Sequence, residues 1–169
     1  MKTTSFLLIA VISISFGPSH LNASDVESRF GGNENTAIIA APNSVKVWRT
    51  VGSLNSSPGD CFEKFGSAIV VSTNLAAQLS KVLLDVHSYE HSDASTPKQC
   101  LLQPGVVVTF SKGEHDLDVF FCFECDVLIV KSGTNEIGND FSPSRAEFVR
   151  IMKKIFQKDA QIQSLKEQE

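Results

Sequence analysis

The amino-acid sequence predicts an α+β domain, a small antiparallel sheet with two helices packed on one face. Three observations carry this. Val45 to Val51 alternates apolar and polar side chains with period two, the pattern of a half-buried strand. Val106 to Ser111 and Leu117 to Phe123 are apolar runs separated by Lys112-Gly113-Glu114-His115-Asp116, the spacing and turn chemistry of a hairpin. Phe148, Ile151, Met152, Ile155 and Phe156 then recur at i, i+3, i+4, i+7 and i+8, one apolar helix face. Strands and helices do not alternate strictly, which argues against a parallel βαβ fold.

The elements follow in chain order. Residues 1–23 read as a signal peptide: Lys2 supplies the charge, Phe6 to Phe16 the short apolar run, Gly17-Pro18 the break and Ala23 the small residue before cleavage. The run is shorter than the roughly 20 apolar residues of a membrane span. No cysteine follows it closely enough for lipid attachment, because the first is Cys61. The chain is therefore expected to be exported, periplasmic or secreted, with no membrane span after cleavage. Residues 24–44, with Gly31-Gly32 and Asn33-Glu34-Asn35, read as a flexible lead-in, and residues 45–165 as a single domain. Within it, Ser53 to Asp60 is a loop by composition and Ser67 to Val71 a short strand. Ser72 or Thr73 caps a helix to about Val86, with Leu75, Leu79, Val82, Leu83 and Val86 as its buried stripe. His87 to Gln99 and Lys131 to Asp140 read as surface loops, and Asp126 to Lys131 as the continuation or restart of the second hairpin strand. Ser142-Pro143 and the Ser144/Glu147 pair open the last helix, Lys153, Lys154 and Lys158 suit its C-terminal half, and Asp159 to Leu165 adds a short turn. Residues 166–169 are expected to fray.

Composition narrows the function. With 42% hydrophobic and 20% charged residues the chain has too much apolar character to be disordered. Its 15 basic side chains against 19 acidic ones give a net charge of −4, no electrostatic reason for a nucleic-acid partner. No G-x-S-x-G, P-loop or H-E-x-x-H sequence is present. Glu114, Asp116, Asp118 and His115 fall around the hairpin tip, where alternating charge belongs to a solvated turn.

The sharp chemical signal is the set of four cysteines, Cys61, Cys100, Cys122 and Cys125. In an exported chain an even count points to disulfides, and four cysteines allow three pairings. If Leu117 to Val130 is one straight strand, residues three apart lie roughly 10 Å apart on opposite faces. A disulfide needs Cα atoms within about 7 Å, so Cys122 and Cys125 do not bond to each other unless the chain turns. Folding the hairpin about Gly113-Glu114 sets Pro104-Gly105 opposite Cys122 and Leu102 opposite Cys125. Cys100 is then in reach of Cys125 or Cys122, leaving the other for Cys61. Two alternatives stand beside the disulfide reading. A zinc-type site would draw on Cys100, Cys122 and Cys125 with His87 or His91. A thiol–disulfide oxidoreductase would need a reactive Cys122, although Glu124 and Asp126 raise a thiol pKa rather than lower it.

Cys100 to Gly105 (CLLQPG), Asp118 to Asp126 (DVFFCFECD) and Lys154 to Leu165 (KIFQKDAQIQSL) together resemble a group of uncharacterised exported bacterial proteins. These join a C-x-x-x-P-G segment, a C-F-x-C-D strand and a C-terminal amphipathic helix. The resemblance implies that Cys100, Cys122 and Cys125 belong together, with Cys61 an addition of this chain, and it implies no activity. The reading that results is an exported, non-enzymatic binding or structural domain, stabilised by disulfides, with an extracytoplasmic protein or ligand as partner and no cofactor. Cleavage after Ala23 leaves 169 − 23 = 146 residues, so N-terminal sequencing of the exported protein is expected to start at Ser24; a start at Met1 removes the export reading.

Overall fold

A computed structural model of the chain describes residues 23–52, 62–90, 105–132 and 135–168. Most of the signal peptide, the Ser53 to Asp60 loop and the stretch 91–104, with Cys61, His91 and Cys100, lie outside the described residues. Among the described residues the frame is a six-stranded, fully antiparallel sheet: β1 (Ser44–Gly52), β2 (Phe62–Val70), β3 (Val106–Lys112), β4 (His115–Cys122), β5 (Val127–Ser132) and β6 (Asn135–Asp140), in the order β2-β1-β3-β4-β5-β6. The sheet is thus large rather than small. The helices are α1 (Ala23–Phe30), α2 (Asn33–Ala40), α3 (Thr73–Leu83), α4 (Arg145–Ile155) and α5 (Ala160–Gln163). The α+β class holds, and the two predicted helices are α3 and α4, joined by three others.

The hairpin forms in the register set by its turn. Lys112 pairs with His115 and Val106 with Phe121, with Gly113 at φ 62 in the first position of a two-residue turn. Gly105 falls beside Cys122 as the spacing predicts, and its N–H donates to the Phe121 carbonyl at 2.9 Å.

Alternation fails in the middle strands because both faces are covered. Val106, Val108 and Phe110 of β3 and Leu117, Val119 and Phe121 of β4 join the main core, with Leu79 and Leu83 of α3 and Phe148, Val149 and Met152 of α4. Val107, Phe120 and Ile129 bury on the opposite face against Trp48, Phe62 and Val127. Lys64 and Lys131 lie over the Trp48 and Phe120 rings there, at 4.6 and 5.4 Å.

Three sequence expectations need correction. Most of residues 24–44 is not a flexible lead-in. Gly31-Gly32 ends α1 in a Schellman cap: Gly31 has φ 78, Gly32 N–H donates to the Glu27 carbonyl at 2.7 Å and Gly31 N–H to that of Ser28 at 3.4 Å. The buried Asn35 amide donates to the Phe30 carbonyl at 2.6 Å, and Phe30 and Ile39 are fully buried. The glycine pair is helix punctuation, not linker. Second, 135–140 is an edge strand rather than loop. Its polar composition is tolerated because α1 covers it, with Asn139 donating to the Arg29 carbonyl at 2.9 Å. Third, the tail is held beyond 165, since the Lys166 carbonyl accepts a bond from Arg145. Smaller differences follow. The strand expected at Ser67 begins at Phe62, and Ser142–Ser144 form a 3₁₀ turn in which Asp140 accepts from the Ser142 N–H and hydroxyl, so the capping box does not form.

Phe30→Ala is expected to cost about 3–5 kcal/mol, read by urea unfolding; a change near zero restores the lead-in reading. Tyr89 supplies a pH test. Its hydroxyl donates to the Leu83 carbonyl at 2.7 Å, and burial pushes its pKa well above the ordinary phenol value. The unfolded phenol ionises near pH 10 while the folded one stays protonated, so this stability is complete below about pH 10 and falls as pH rises further. Tyr89→Phe is expected to flatten that alkaline loss in a denaturation series from pH 8 to 11.

Candidate functional site

The C-x-x-C segment lies where β4 meets β5. Cys122 pairs with Val127 across the ladder, and Phe123 to Asp126 form the connecting turn. The straight-strand reading of Leu117 to Val130 is therefore corrected: the chain reverses within four residues. No Gly, Pro or Asn marks the turn, and Asp126 supplies the left-handed position at φ 54, which Asp tolerates better than most residues.

Tertiary partners hold that turn. Arg145, the first residue of α4, donates to the Phe123 carbonyl and to the Asp126 carboxylate, and through Nε to the Lys166 carbonyl at 3.1 Å. The side chains of Arg145 and Asp126 are 9% and 8% exposed, so the ion pair is desolvated. The Phe141 N–H donates to the Asp126 carbonyl at 2.7 Å. Phe121, Phe123, Phe141 and Phe148 pack together beside this turn. Phe141 stands edge-on to Phe121, Phe123 and Phe148, with centroids 5.3 to 5.8 Å apart.

The cysteines divide. Cys122 is a free thiol and fully buried, and Cys125 is disulfide-bonded. A scheme in which all four cysteines pair is therefore corrected: one member stays reduced, locked in the β4 ladder. The turn brings the C-x-x-C pair into one loop without joining them. A buried Cys122 also lacks the solvent access that an attacking thiol needs.

The remaining sequence candidates do not gather around it. His87 is exposed in the 3₁₀ turn Val86–Ser88, where its N–H donates to Asp85 at 2.9 Å. Cys100 and His91 lie outside the described residues. Among the described residues no group of three or more His, Cys, Asp or Glu side chains is placed to hold a metal ion. Asp118 is bound to Lys64 at 2.9 Å and accepts from the Thr109 hydroxyl, a satisfied pair rather than part of a carboxylate cluster.

Sequence reasoning passed over Arg145 and the β2 edge. A signal for the first was present: a cation in the opening turn of a helix opposes the helix dipole and asks for a partner. Two surface features lie away from this turn. A cleft of about 640 Å³ opens between α1, α2 and the end of α3, floored by Val26, Ala37, Ala40 and Leu84. Along the sheet edge, Val51, Phe65 and Val70 stand 47%, 62% and 70% exposed. No family model, curated protein or solved structure matches the chain.

Arg145→Met removes the guanidinium from its desolvated pair with the Asp126 carboxylate and is expected to cost about 3–5 kcal/mol. Asp126→Asn in the same chain removes the remaining buried charge and is expected to recover part of the loss in urea denaturation. Alkylation without reductant is expected to leave Cys122 unmodified in the folded chain and to modify it after unfolding; an unfolded chain in which Cys122 stays unmodified overturns the free-thiol assignment.

Proposed function

We propose that the chain is an exported, non-enzymatic binding domain, stapled through Cys125, that takes an extended segment of an extracytoplasmic partner protein along β2. The observation that carries this is the exposed apolar edge: the large exposed hydrophobics among the described residues lie on β2 or on β1 beside it. An edge strand leaves a row of backbone donors and acceptors open, and an added strand satisfies them while alternate side chains find apolar neighbours.

The two edges of the sheet differ in a way that supports the choice. β6 is short, polar and covered by α1 through the Arg29–Asn139 contacts. β2 is nine residues long and exposed along most of its length. It also carries a bulge: the register slips between Val47 and Arg49, and Gly66 sits at φ 76. A bulge interrupts regular pairing, which blocks open-ended stacking of copies and leaves a short run, Phe62 to Phe65, for a short extended peptide.

Export is supported by the Lys2 to Ala23 segment, and an oxidising compartment fits the Cys125 disulfide. Membership of the exported bacterial group with the same cysteine spacing belongs to this proposal. The test is selection of a random peptide display library on the immobilised mature protein. Peptides of alternating apolar pattern are expected to enrich, and Phe65→Lys is expected to weaken them about tenfold or more while the thermal midpoint holds. No enrichment, or enrichment unchanged by Phe65→Lys, sinks the proposal.

A further inference from the structure

We draw no further inference here: the strongest candidate, the apolar-floored cleft between α1, α2 and the end of α3, carries Glu27, Asp85 and Lys81 at its margins, a mixed charge that selects no ligand class, and nothing in the structure shows what covers it.

Discussion

The buried pair between Arg145 and Asp126 is the constraint on which the middle of this fold depends. Three parts of the chain meet there: the β4–β5 turn, the first residue of α4 and the C-terminal segment at Lys166. None of them holds its shape by local preference. Phe123-Glu124-Cys125-Asp126 lacks ordinary turn residues, Arg145 sits at the wrong end of a helix for a cation, and a chain terminus tends to fray. Each departure from local preference is answered by one of the others. Desolvating both charges costs free energy that their attraction only partly returns, so the pair is better understood as fixing one arrangement than as a large source of stability. The surrounding phenylalanines supply the apolar burial that makes the arrangement worth fixing.

From that centre the sheet extends unequally. β3, β4 and β5 carry apolar residues on both faces, β6 is sheltered by α1, and β2 is left as an exposed edge. Lys64 belongs to this picture. Its amine lies over Trp48 and binds Asp118 and Thr109, so a charge on the outer strand is directed onto the sheet face and away from the open edge. That face thus joins the Lys64–Asp118–Thr109 contacts to the buried cluster of Val107, Phe120 and Ile129.

Much of the frame was legible in the residues. The β3–β4 register followed from Gly113, and α4 from its repeating stripe and Ser142-Pro143, because local spacing fixes both. β6 was not legible. Asn135-Glu136-Ile137-Gly138-Asn139-Asp140 has a loop's composition, and only the helix lying against it makes a strand of it. The Gly31-Gly32 pair misled for a related reason: glycine marks helix ends as well as linkers, and the deciding contacts, Asn35 to the Phe30 carbonyl and Phe30 into the core, belong to the folded state. At the cysteines the straight-strand argument was sound geometry applied to the wrong path, since the partner that bends the path stands 19 residues later in sequence. The apolar edge was hidden because Phe62 to Phe65 precedes the run that looked like a strand.

The contacts at the two ends of the chain bear on how it folds. Arg29 meets Asn139, and Arg49 meets Asp159, and each contact spans 110 residues. Closing loops of that length precedes any gain from the contacts they make, which places the domain among chains whose folding is governed by non-local pairing rather than by local helices. The contact of α1 therefore awaits β6, and that of Arg49 in β1 awaits the start of α5. The main core takes in Phe156 and Ile162 near the end of the chain, so it is complete only when almost all of the sequence is available.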